Sequence, residues 1–333
     1  MEAKLVDALP TEADWRFEPK WDGFRCLAFR DGREIELQSK SGKSLGRYFP
    51  EVEAAIAALN TDIFAIDGEL IIPRGDALSF EALQMRLHPA ESRIRKLAAA
   101  TPARLMLFDC LAIGDEGLVD RPLSERRAAL ERFHEAEKAP LLHLSPFTED
   151  RAIAQAWLDQ AGGALDGVVA KRRDGPYEPG ERAMLKIKAL RTADCVVGGF
   201  RYGANSPHVA SLLLGLYNED GKLDHVGFTS AIPASEKAGL TKRLEAMIEP
   251  PGFTGNAPGG PSRWSTDRSS EWQPLRTELV VEVRYDQVTG RRFRHGTRFL
   301  RWRPDKAPEQ CRMDQIEHQT DPAELARTLE KAG

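Results

Sequence analysis

The chain has 333 residues, 41% hydrophobic and 29% charged, with a formal net charge of -4. That is enough length for two domains with separate cores, and the composition excludes a disordered chain. The four cysteines form no C-x-x-C pair and no run approaches a membrane span, so neither zinc, nor a disulfide framework, nor a membrane partner is expected. Residues 1–10 lack a signal-peptide core, and a cytoplasmic protein is the expectation.

Residues 15–40 read as strand, turn, strand, with Asp31-Gly32 as a hairpin signal. A helix follows at 50–59, where Pro50 starts a run with Val52, Ala55, Ile56 and Leu59 at helical spacing. Strand returns at 64–72 with Asp67-Gly68-Glu69 in its middle, then a helix at 79–87 and a strand at 105–111 containing Phe108-Asp109. Helices are expected at 123–137 and 151–161, and strands at 142–147, 167–171 and 183–190. Near 191–193 the texture changes to short strands at 195–201, 212–217, 226–229, 279–285 and 297–302. One helix, 234–248, separates the third from the fourth, which is the element order of an OB barrel; an SH3-like or other small barrel fits as well. Residues 250–261 read as a loop and 321–332 as a terminal helix. The class is α+β, with domains at 1–191 and 192–312 and a tail at 313–333.

The densest chemistry is Glu18-Pro19-Lys20-Trp21-Asp22-Gly23-Phe24-Arg25, where an amine, a carboxylate, a glycine and a guanidinium follow a short strand. A lysine is a nucleophile only without its proton, so burial or neighbouring cations must lower its pKa from about 10.4. Read alone, the same residues also make a surface turn. Lys186 and Lys188, two apart on a strand, share one face and are suited to supply such cations. Between Arg284 and Lys306 stand eight basic residues with Tyr285, Phe293, Phe299 and Trp302 interleaved, either a solvated hairpin or a groove for a phosphate backbone.

In chain order the sequence offers Lys20-x-Asp22-Gly23-x-Arg25, Ser39-Lys40-Ser41-Gly42, Asp67-Gly68-Glu69, Phe108, Asp166-Gly167-Val168-Val169-Ala170-Lys171, Lys186-Ile187-Lys188 and Arg303-Pro304-Asp305-Lys306. This order resembles the ATP-dependent DNA ligases of the covalent nucleotidyltransferase superfamily, from Glu18 to Lys306. The likeness is greatest to the small bacterial ligase C group, through Arg191-Thr192-Ala193-Asp194-Cys195 and the run from Phe293 to Asp305. It implies an ATP-grasp-like nucleotidyltransferase domain of packed antiparallel sheets and helices, followed by an OB-fold domain.

The resemblance implies that Lys20 takes AMP from ATP, passes it to the 5'-phosphate of nicked double-stranded DNA, and that the 3'-hydroxyl then closes the nick. Glu18 would select adenine, since a carboxylate accepts from its N6 amine and not from guanine O6. Phe108 would stack on the base or serve as plain core, and Arg25, Lys40 and Arg182 would hold nucleotide or nick phosphate. Lys186 and Lys188 would face the α-phosphate and depress the Lys20 pKa. Glu69 and Asp166 would hold Mg2+, while Arg303, Asp305 and Lys306 would orient pyrophosphate, with a hinge at 191–194. Lys40 replaces a usual arginine and loses bidentate binding; Asp166 replaces a usual glutamate and is one methylene shorter. A monomer acting in DNA repair is implied, with a repair polymerase or end-joining proteins as partners. An RNA ligase or a capping guanylyltransferase shares the lysine and the carboxylates, but Glu18 argues against both. A non-catalytic nucleic-acid-binding module would have lost Lys20, Lys186 or Lys188, and all three are present.

Overall fold

The computed structural model describes residues 1–74, 77–161, 165–203, 205–230, 232–259 and 271–317. The helix expected at 321–332 and the end of the loop at 250–261 lie outside the described residues. The chain divides into two compact units, Met1–Ala189 and Leu190–His318.

The first unit holds two sheets. One has the order β1 (Ala3–Val6), β9 (Met184–Lys188), β8 (Leu165–Arg172), β2 (Trp15–Trp21). The other runs β7 (Leu142–Leu144), β6 (Arg104–Ile113), β5 (Ile63–Ile71), β3 (Phe24–Asp31), β4 (Glu34–Ser39). All pairs are antiparallel except β1 with β9 and β7 with β6. Strand β1 carries no alternating pattern, and its shape comes from pairing beside β9.

Helix α5 (Arg151–Asp159) covers the first sheet, burying Ala154 and Trp157 against Phe17, Val168 and Ile187. Helices α1 (Pro50–Ala57) and α4 (Leu123–Glu137) cover the second, with Val52, Ile56, Leu130 and Phe133 buried among Ile66, Leu105 and Leu107. Each such side chain contributes about 1.5–3 kcal/mol by leaving water. Helices α2 (Phe80–Arg86) and α3 (Glu91–Ala100) complete the unit, and α3 buries only Ile94 and Ala98, too few to signal itself in the sequence.

One buried ion pair orients the site. Arg126 of α4 donates to both oxygens of Asp109, at 2.7 and 3.1 Å, with both side chains almost wholly out of water. Asp109 therefore points toward the helix, and its neighbour Phe108 turns to the other face of β6.

The second unit is a five-stranded barrel. Its strands follow the order β12 (Leu223–Thr229), β11 (Val209–Tyr217), β10 (Arg191–Tyr202), β13 (Val280–Tyr285), β14 (Arg298–Trp302). A parallel bridge between Thr229 and Thr297 joins the two edges, and helix α6 (Lys237–Glu245) falls between β12 and β13, as an OB fold requires. The structure corrects one expectation here. Residues 191–194, expected to carry a hinge, are strand backbone of β10, where Arg191 to Asp194 pair in register with Tyr285 to Glu282. Only Ala189 and Leu190 separate β9 from β10.

Candidate active site

Strand β2 ends at Trp21 in one sheet and β3 begins at Phe24 in the other, so Asp22-Gly23 is the corner between the sheets. Gly23 has no room for a side chain: a Cβ there would lie 2.2 Å from the Leu70 carbonyl oxygen. The corner carries the chain from Lys20 on β2 of one sheet to Arg25 on β3 of the other. Lys20 pairs in register with Gly167, and its Nζ lies 2.5 Å from Asp166 Oδ2. Gly167 has φ +141°, and a Cβ would meet the Ile187 carbonyl oxygen at 2.0 Å, so glycine lets β9 press against β8. That contact brings Lys188 Nζ to 3.5 Å from the same Asp166 oxygen. Asp166 is buried, and its Oδ1 has no hydrogen-bond partner among the described residues.

A cleft of about 470 Å³ opens over these strands. Of the residues expected in the site, it is lined by Glu18, Lys20, Arg25, Lys40, Glu69, Phe108, Arg182 and Lys186. Among the described residues its wall carries seven cationic side chains, including Lys4 and Lys171, against the carboxylates of Glu2, Glu18 and Glu69. Burial and the charges of Lys20, Lys188 and Lys40 push the Lys186 pKa below the ordinary lysine value. Burial raises the Glu69 carboxyl to about 8, against the opposing pull of Lys20 and Arg25. Lys40, largely exposed, holds Glu2 at 3.1 Å.

Arg25 is turned inward. Its Nε donates to Asp67 Oδ1 at 2.9 Å and its Nη1 to the Met1 carbonyl at 2.6 Å, while Nη2 reaches Asp67 Oδ2 and Tyr177. Tyr177 in turn donates to Asp67 at 2.8 Å. Asp67 and Tyr177 thus brace the wall of the cleft, a role that no local sequence pattern announces.

At the other end, Glu18 and Lys171 form an ion pair at 2.6 Å, each 3% exposed. Lys171 Nζ also lies 4.5 Å from the centre of the Phe108 ring. Phe108 is half-buried and lines the cleft. Glu18 Oε1 is buried and has no hydrogen-bond partner among the described residues. Lys171 stands in the Asp166-Gly167-Val168-Val169-Ala170-Lys171 string, but only pairing across β8 and β2 reveals its partner.

Arg303, Asp305 and Lys306 lie in the second unit, gathered around Asp194. Arg303 Nη1 donates to Asp194 at 2.8 and 3.0 Å, and Lys306 Nζ donates to it at 2.8 Å. Arg303 holds the Asp305 carboxyl down at about 2. The arginine-rich run is less free than its composition suggests. Arg291 pairs with Glu317 and Arg301 with Glu282, while Tyr285 and Phe293 are buried against each other at 4.8 Å. These two rings are core and offer no stacking platform for bases.

Residues 3–188 match the ATP dependent DNA ligase domain and residues 205–306 the ATP dependent DNA ligase C terminal region. The chain is 46% identical over 334 residues to DNA ligase C of Mycobacterium tuberculosis, covering 95% of this chain and 93% of that protein. It is 45% identical over 328 residues to DNA ligase C1 of Mycolicibacterium smegmatis, with the same coverage. A solved structure of a Lig E DNA ligase shares the fold at TM-score 0.56 and 18% identity, covering 91% of this chain and 99% of that one.

Proposed function

This chain belongs to the ATP-dependent DNA ligases, and we propose that it seals nicks between a 3'-hydroxyl and a 5'-phosphate through AMP carried covalently on Lys20. The observation that carries the assignment of roles is the cleft itself. It gathers a lysine nucleophile, further cations and an unpartnered carboxylate oxygen on Glu18, and beside Lys20 lies a second such oxygen on Asp166.

In the first step the neutral Lys20 amine attacks the α-phosphate of ATP: a phosphorus–nitrogen bond forms as the bond from the α-phosphorus to the bridging oxygen breaks, pyrophosphate leaves with that electron pair, and the nitrogen gives up one proton to solvent. Little covalent assistance is needed, so positioning and neutralisation of phosphate charge supply the catalysis. Lys186 and Lys188 face the α-phosphate, and Lys40 and Arg182 hold phosphate or sugar at the rim. Arg303, Asp305 and Lys306 orient the pyrophosphate. The unpartnered Oε1 of Glu18 accepts from the adenine N6 amine, Lys171 fixes the other oxygen, and Phe108 lies under the base. Arg25, braced by Asp67, shapes the wall against which nucleotide and later nick phosphate lie.

Glu69 and Asp166 suit Mg2+. Asp166 keeps one buried oxygen without a partner among the described residues, and Glu69 lines the cleft. A few hard oxygens with room for water is the donor set Mg2+ prefers. When bound, the ion would neutralise charge on the phosphate oxygens. In the later steps AMP passes to the 5'-phosphate of the nick, and the 3'-hydroxyl displaces it. We assign the enzyme to DNA repair, including end joining, acting on nicked double-stranded DNA as a monomer in the cytoplasm.

The test is joining of a nicked duplex with ATP or GTP, beside the same duplex with a break in RNA. ATP-dependent sealing of the DNA nick is expected. Sealing of RNA alone would make the enzyme an RNA ligase, and covalent labelling from GTP would make it a capping-type transferase.

A further inference from the structure

No local sequence pattern marks Asp194 beyond its place in the Arg191-Thr192-Ala193-Asp194-Cys195 segment. In the structure it is the carboxylate on which both phosphate-handling cations of the second unit converge. It is 8% exposed and fixed in β10 opposite Glu282. Its backbone N–H donates to Gln315 Oε1 at 3.0 Å, and its carbonyl accepts from Gln315 Nε2 at 3.1 Å. The Arg303 N–H donates to the Val280 carbonyl at 2.8 Å, so the donors are tied to β13, the strand that pairs with the one carrying Asp194.

All three guanidinium nitrogens of Arg303 are engaged. Nη1 goes to Asp194, while Nε and Nη2 go to Asp305 at 3.0 and 2.9 Å. Lys306 spends one donor on Asp194 at 2.8 Å. Two cations thus face two carboxylates, and the cluster has no net charge to offer a polyphosphate. An incoming phosphate must displace a carboxylate that is already well placed, and only the difference between the two interactions appears as binding.

We propose that Asp194 is a parking site for Arg303 and Lys306, competing with the triphosphate for both and setting how readily they are released to it. This rests on the reading that Arg303 and Lys306 serve pyrophosphate in the first step. The ammonium of Lys306 keeps two further donors, so it can reach a phosphate before it leaves Asp194. Arg303 must exchange one partner for another.

The experiment follows single-turnover labelling of Lys20 against ATP concentration, and its reversal by pyrophosphate, in the full chain and in Asp194→Asn, Gln315→Ala and Lys306→Ala. Joining of a nick that already carries a 5'-adenylate, without ATP, reports a folded enzyme. Asp194→Asn is expected to lower both the KM for ATP and the half-saturating pyrophosphate about fivefold to tenfold, the size of a partly buried ion pair's contribution. Joining of the adenylated nick should change far less. Gln315→Ala, which loosens Asp194 without removing its charge, should shift both constants the same way by a smaller factor. Unchanged or raised constants in an Asp194→Asn enzyme that still joins the adenylated nick would overturn the proposal, and would make Asp194 inert or an orienting group. If Asp194→Asn loses that joining too, Gln315→Ala decides by the same two constants. Lys306→Ala separates the layers: slow labelling there keeps the pyrophosphate reading whatever Asp194 does, and unaltered labelling removes that reading and the proposal together.

Discussion

The two units handle the same kind of charge in opposite ways. Around the cleft, seven cationic side chains line the wall with Glu2, Glu18 and Glu69 among the described residues, Asp166 and Asp67 hold Lys20 and Arg25, and burial together with the charges of Lys20, Lys188 and Lys40 lowers the Lys186 pKa. In the barrel, Arg303 and Lys306 are matched by Asp194 and Asp305. The cleft is a preorganised positive surface that costs stability while empty and is relieved by a polyphosphate. The barrel cluster is stable as it stands and has to be opened. One region is built to bind, the other to let go.

The largest effect that would sharpen this contrast is at Lys20. Lys20→Ala should lower ATP-driven sealing by a factor on the order of 10⁴ or more. Joining of a nick that already carries the adenylate should persist, and loss of both activities would show that Lys20 does more than carry AMP. Next is Lys186→Met, expected to slow labelling of Lys20 by about 10² through the lost charge. Because repulsion from Lys20, Lys188 and Lys40 also disappears, the melting temperature should hold or rise. A falling melting temperature would break the picture of a cleft under electrostatic stress.

The barrel should answer to pH through His225, which is buried and bonded through Nδ1 to Arg292 at 2.9 Å. Burial and the charges of Arg292 and Arg201 lower its pKa to about 3. The unfolded chain then takes the proton first, so stability is full above about pH 6.5 and is lost as pH falls toward 3. From pH 7 to pH 5 the expected loss is about 2 kcal/mol, read by urea unfolding, and His225→Asn should flatten that slope. The smallest effect is at Glu18. Glu18→Gln should raise the KM for ATP about tenfold and narrow the preference over GTP, since an amide can donate to guanine O6. An unchanged ratio of ATP to GTP use would remove Glu18 from base selection.

Much of this was legible in the sequence because the decisive signals are local. Helix α4 and the strand carrying Asp67-Gly68-Glu69 show their periodicity within a few residues, and eight of the expected site residues line one cleft. What escaped needs partners distant in the chain. Strand β1 is mostly exposed and exists through β9, and Lys171 has meaning only beside Glu18. The segment at 191–194 looked like a hinge because its ladder partner, β13, comes much later in the sequence. The arginine-rich run read as either a solvated hairpin or a phosphate groove, and composition cannot show that Glu282, Glu317 and Asp194 pair with Arg301, Arg291 and Arg303.

The most direct test of the account is to incubate the protein with Mg2+ and α-phosphate-labelled ATP, map the labelled peptide, and chase with nicked duplex DNA. The account predicts label on Lys20 alone, lost as the nick is sealed. Label on any other residue, or label on Lys20 that survives while the nick closes, would contradict it.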